Sequence, residues 1–260
     1  TTAHAGALST NAVAALETAD LAALKTSSIA ALNTAQIAAL TTNQLGSMAT
    51  GQIAALTTNQ LANGLTTNQV VALSSNQLGA FNTAQFGALS TNAIAAIETA
   101  DIGGLKTNVI AALKSAQVAA LTTNQIGALG TNQVAALSTG SIAGMTTNQI
   151  VALSSNQASV LSSAQIGALA TETVAALETA DLAALKTGTI AGLKTQQVAA
   201  LTTNQVVALT TAQANALTTA QAGALSTNAV AALETADLAA LKTSSIAALN
   251  TAQIAALTTN

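Results

Sequence analysis

The side chains able to do acid–base chemistry fall into four charged groups of one pattern. Glu17, Asp20 and Lys25 form the first; Glu98, Asp101 and Lys106, then Glu178, Asp181 and Lys186, then Glu234, Asp237 and Lys242 repeat it. Paired carboxylates act as general acid and base where an enclosed, desolvated pocket sets their pKa values apart. A group that recurs with one spacing instead fits an exposed salt link between stacked units, contributing about 0–1 kcal/mol and setting register. His4 is the sole histidine, and cysteine is absent. With no second His, Cys or carboxylate cluster beside it, His4 reads as a solvated or locally hydrogen-bonded residue rather than a metal ligand. Neither a nucleophile–base pair nor a Gly-rich phosphate loop is present. The expectation is a protein that is not an enzyme, with no catalytic residue, no cofactor-binding residue, no metal site and no cofactor.

What carries these groups is an eight-residue unit that runs almost without interruption from Thr1 to Asn260. Its commonest form is Thr-Thr-Asn-Gln-(Ile/Val/Leu)-Ala-Ala-Leu. With Thr41 as position 1 and Met48 as position 8, position 8 is Leu except at Met48, Phe81, Ile97 and Met145. Position 5 is usually aliphatic, with Ala at Ala5, Ala158, Ala214 and Ala222 and Phe at Phe86. Position 7 is almost always Ala or Gly, and position 2 is always Thr or Ser, whereas position 1 varies: Glu17, Lys25, Asn33, Ala49 and Gly130 all occupy it.

Positions 5 and 8 are three apart, so they share a face of one helical turn. Eight residues overshoot two turns of continuous α-helix by roughly 80°, which would wind the apolar stripe round the cylinder. Strict alternation, which a strand requires, is missing. The backbone must therefore reorient once per octad, as in a solenoid whose units bury their faces against neighbours. The hydroxyl at position 2 fits a helix N-cap, Asp20 or Asp101 suits the positive end of a helix dipole, and Ala at positions 6 and 7 favours helix. The reading is an all-α solenoid of very short Thr-capped helices, one per octapeptide, in which small residues at position 7 let coils approach. The alternative is a narrow β-solenoid, for which Thr, Val and Ile are suited.

Composition supports a narrow core. Half of the 260 residues are apolar, 6% are charged, and Phe81 and Phe86 are the only aromatics; they fall at positions 8 and 5 of adjoining octads and should thicken one slab of core. A net charge of −3 with no Arg argues against nucleic acid. Polar residues interrupt every octad, so no membrane span is expected. One unit is nine residues long: around Leu61-Ala62-Asn63-Gly64-Leu65, Asn-Gly suggests a bulge with positive φ that keeps Leu61 and Leu65 both buried, and it shifts phase over residues 61–69. Residues 1–43 and 218–260 are identical except for His4 against Gln221. We expect one continuous array over residues 1–260, a segment of a longer array or a polymer that self-associates end to end or laterally.

The nonapeptide Leu201-Thr202-Thr203-Asn204-Gln205-Val206-Val207-Ala208-Leu209 is locally similar to the first helix of TAL-effector repeats. It carries no DNA-reading loop and no basic surface, so DNA binding does not transfer. Across the chain, the Thr/Ala/Gln/Leu octads resemble tandem arrays in very large secreted bacterial surface proteins, adhesin-like or filament-forming. That resemblance implies an extracellular or cell-surface structural protein, a filament, fibre or adhesin stalk. A second expectation is binding of a regular surface, ice or glycan, through Thr rows such as Thr41-Thr42 and Thr57-Thr58, although other residues interrupt them.

Overall fold

The computed structural model describes residues 2–257. They are all helix and connection, with one helix of four to seven residues per octad and no strand among the described residues. The chain divides into two compact units, Thr1–Leu129 and Gly130–Asn260, and the same construction holds inside each.

Each helix begins at position 2, one residue earlier than a position-2 cap would place it. In the 41–48 octad, Thr41 is extended (φ −70°, ψ 159°) and the helix runs Thr42–Ser47. Thr41 Oγ1 accepts from Gln44 N at 3.2 Å, and Gln44 Oε1 accepts from Thr41 N at 2.7 Å. This is a capping box. The expected cap at position 2 is therefore corrected to position 1, because position 2 already has helical backbone, whereas a cap residue is extended. The Gln half of the box uses only the backbone N–H of position 1, as where Ala49 N donates to Gln52 Oε1 at 3.0 Å. A side chain at position 1 is thus dispensable, which is why that position tolerates Ala, Gly and Lys.

The helices end without left-handed backbone. Met48 (φ −63°, ψ 138°) and Ala49 (φ −65°, ψ 151°) are both extended, and two such residues turn the chain into the next helix. No described residue has positive φ. Positions 5 and 8 form the core as the spacing predicts: Ile37 is fully buried and Leu40 nearly so. Phe81 and Phe86 meet edge to face, with centroids 6.4 Å apart, both buried.

Octads stack three apart. Thr10–Ala14 packs on Thr34–Ala39, and Thr211–Ala216 packs on Thr235–Ala240. Side chains from position 4 also reach four octads back, as described below, so a turn of the coil holds between three and four octads. Small residues matter where helices cross: a Cβ on Gly192 would lie 2.4 Å from Cβ of Ser163, and one on Gly104 would lie 2.8 Å from Cβ of Ser75. Each pair joins position 7 to position 2, three octads earlier.

The nine-residue unit widens its helix end, Leu65 N donating to Gln60 O at 3.0 Å where other octads bond three residues back, and it does so without positive φ. The helix Thr58–Asn63 is followed by Gly64 at φ −111°, so glycine is not there for left-handed backbone. A Cβ on Gly64 would come within 2.8 Å of Gln60 O and 2.9 Å of Thr34 O; close approach of the next coil is what excludes a side chain. Leu61 is buried, while Leu65 is half-buried.

Candidate functional site

Position 4 holds the polar chemistry of the interior. Gln44 is 2% exposed. Its Oε1 closes the capping box, which leaves its Nε2 facing away from its own helix. That amide donates to Leu16 O at 2.7 Å, Val13 O at 3.0 Å and Ala14 O at 3.3 Å, all four octads earlier. Gln205 does the same to Leu177 O and Val174 O, and Gln221 to Leu193 O and Ile190 O. The shortest bond in each set goes to the position-8 carbonyl. A buried amide left unpaired costs about 1–3 kcal/mol, so the clamp is obligatory once the Gln is enclosed. Hydroxyls provide a reduced version: Thr189 Oγ1 donates to Leu161 O at 2.8 Å and Ser245 Oγ to Leu217 O at 3.2 Å.

Reading His4 as a solvated residue does not extend to the Gln that usually holds position 4. It holds for His4 itself, which is exposed. Its counterpart Gln221 has a coil beneath it and is buried. No group of three or more His, Cys, Asp or Glu that could hold a metal ion occurs among the described residues.

Asp occupies position 4 in the four charged groups, and the structure gives it three settings. Asp20 is exposed, Asp101 half-buried, Asp181 and Asp237 buried. An ionised carboxylate has no proton to donate to a carbonyl, so the Asp residues turn to hydroxyls at position 2, three octads back. Ser75 Oγ donates to Asp101 Oδ1, and Ser155 Oγ donates to Asp181 Oδ1 at 2.7 Å. Asp181 Oδ2 is buried with no hydrogen-bond partner. Burial pushes the Asp181 carboxyl above its ordinary range; the Ser155 hydroxyl pulls it back, and the Glu178 charge pushes it up.

Glu17, Glu98, Glu178 and Glu234 are exposed, as are Lys25, Lys106, Lys186 and Lys242. Successive octads are not stacked on one another, so Glu178 and Lys186 do not face each other across a coil junction; the neighbours of the Glu178 octad lie three and four octads away. Lys114 spends its ammonium on the backbone, Nζ donating to Gly87 O at 2.9 Å. Within the second unit an open groove of about 660 Å³ is lined by Thr187, Ala191, Thr211, Asn215, Ala240 and Lys242. Asn215 Nδ2 crosses to Ala240 O at 2.6 Å.

Sequence reasoning found the carboxylates and the apolar core but missed the clamp. The available signal was the narrow choice at position 4: Gln in most octads, otherwise mainly Asp, Ser, Thr or Ala. No helix is long and apolar enough to cross a membrane among the described residues.

Capped helices of under two turns, repeated every eight residues and bonded coil to coil, define a helical tandem-repeat protein, an all-α solenoid. The chain belongs to the ALTTAQ repeat family, whose model matches residues 13–50, 53–91, 94–131, 118–147, 134–171, 174–211 and 230–260. The matches at 13, 53, 94, 134 and 174 start 40 or 41 residues apart, so the family unit spans five octads. A search of curated proteins returns no match.

Proposed function

We propose that this repeat protein is a non-catalytic structural element of an extracellular filament, fibre or adhesin stalk. One observation carries the reading: the buried polar side chains at position 4 are committed to joining coils, in octad after octad, while positions 1 and 3 face outward and vary. A catalytic or ligand site concentrates unlike polar groups in one enclosed place. Here like groups are spread evenly. The sparse charge, the absence of Arg and the presence of only six Lys would leave few sites for trypsin-like proteases outside a cell.

Self-association is part of the proposal. Coil-to-coil bonding uses backbone carbonyls that every octad presents, which supports a second copy joining the array. Negative-stain microscopy with sedimentation velocity tests the reading. Filaments or elongated species that lengthen with concentration are expected; compact, monodisperse particles at every concentration would overturn it.

A further inference from the structure

The Gln clamp lapses over whole turns of the coil. Position 4 reads Ala93, Asp101 and Val109 in three consecutive octads, and Thr173, Asp181 and Thr189 eighty residues on. With three to four octads per turn, three in succession remove the amides from nearly a complete turn. In the later run, Thr173 Oγ1 reaches Met145 O at 3.4 Å and Thr189 Oγ1 reaches Leu161 O at 2.8 Å. Asp181 sits between them, 2% exposed, bonded to Ser155 through Oδ1 alone.

By the octad rule, the carbonyls beneath Asp181 are those of Ile150 and Leu153. Ile150 O already accepts from Leu153 N at 3.2 Å. The Leu153 carbonyl holds the position that receives the shortest amide bond elsewhere in the coil. Threonine, shorter by one bond than aspartate, spans the equivalent gap at Thr189. A carboxylate there sets oxygen against oxygen, whereas a carboxylic acid has one O–H to share.

We propose that Asp181 is a proton-operated clasp in a weak seam of the coil. Protonated, its Oδ2–H donates to the carbonyl edge of the 146–153 octad; ionised, it holds its junction through Ser155 alone. The helices packed on it, Ser155–Ala158 and Thr203–Val207, carry no charge, nor does Thr147–Val151. Along the chain, the charged residues are Glu178 at position 1 of its own octad, Glu172 before it and Lys186 after it. Glu178 adds to the preference for the neutral acid. The folded chain then binds this proton more readily than the unfolded chain. The stabilisation is fully present below the ordinary carboxylate pKa and is lost as pH rises through the raised folded value.

The test is thermal unfolding from acid to neutral pH, with hydrogen exchange corrected for intrinsic rates, on the wild type, Asp181→Asn and Asp181→Gln. The amide variants should melt about 2–4 °C above wild type at neutral pH, with the gap closing in acid. Exchange in residues 146–153 and 178–185 should slow in acid for wild type alone. Asp20→Asn, at an exposed position 4, should leave the curves superimposed on wild type. Parallel wild-type and amide-variant curves at every pH would overturn the proposal. So would a rise in the neutral-pH midpoint on adding potassium or calcium chloride that appears in wild type and not in Asp181→Asn, since the oxygens would then be serving a cation.

Discussion

Replacing Gln205 with Leu puts the clamp to a quantitative test. Gln205 is 2% exposed; its Oε1 accepts from Thr202 N at 3.0 Å, and its Nε2 donates to Leu177 O at 2.8 Å. Leucine has similar bulk but no polar atom. It orphans two enclosed groups, the Thr202 N–H and the Leu177 carbonyl. Of its two remaining partners, Val174 O retains its bond from Leu177 N at 3.1 Å, and Ala175 O, 3.2 Å from Nε2, is only partly buried. Two orphans at about 1–3 kcal/mol each give a loss of about 2–6 kcal/mol. Added apolar burial of about 1.5–3 kcal/mol opposes it. A net loss of about 0.5–3 kcal/mol remains, confined to the junction between the 170–177 and 202–209 octads because solenoid units are coupled mainly to their neighbours. Urea melts report the total, and native-state hydrogen exchange on peptides from the two octads reports where it falls. Asn204→Ala, on the exposed position beside it, should stay within about 0.5 kcal/mol of wild type. If Gln205→Leu matches Asn204→Ala in both assays, the clamp contributes nothing and the account of position 4 is wrong.

The cap assignment is separable in the same octad: Thr202→Ala should cost about 0.5–2 kcal/mol and Thr203→Ala much less, with urea midpoints deciding between the two hydroxyls. Gly192→Ala places a methyl 2.4 Å from Cβ of Ser163; overpacking should cost about 1–3 kcal/mol, and Ser163→Gly should recover part of it in a double-mutant cycle. Phe86→Ala empties half of an aromatic pair that is 1% exposed and should lower stability by about 3–5 kcal/mol. A drop under 1 kcal/mol in the denaturation midpoint analysis would mean that the slab collapses freely around it.

What the sequence made legible was everything settled inside one octad. The spacing of Ile37 and Leu40 named the core, the Ala and Gly at position 7 announced close coils, and Phe81 and Phe86 marked one thick slab. What it hid depended on partners far along the chain. A Thr-Thr pair offers two possible caps, and only the extended backbone of Thr41 against the helical backbone of Thr42 chooses between them. Gln44 looks exposed when its helix is considered alone, because the carbonyl it binds most closely, Leu16 O, lies 28 residues away. Asn63-Gly64 carries the signature of a positive-φ turn, yet Thr34 O, brought near by the stacking, is what demands glycine. In the charged groups, Asp20 and Asp181 have the same neighbours in sequence and opposite burial. Their difference arises from which coils lie against them.

The clamp also explains how the array can vary without unravelling. Gln reads backbone carbonyls, which every octad presents alike, so recognition between coils does not depend on which side chains the partner octad carries. The extra residue at Gly64 shows the consequence. Across it, Gln69 and Gln77 reach their position-8 carbonyls over 29 residues rather than 28, and the bond lengths stay at 2.7 and 2.8 Å. By Gln117 the separation has returned to 28. A junction that ignores side-chain identity and absorbs an insertion leaves array length free to change. It also leaves positions 1 and 3 open to whatever the outer surface requires. The constraint falls instead on position 4, where exchanging an amide for a carboxylate converts a permanent bond into one that depends on a proton. Octad number can therefore drift in such an array, while the placement of its Asp-bearing turns sets where it opens.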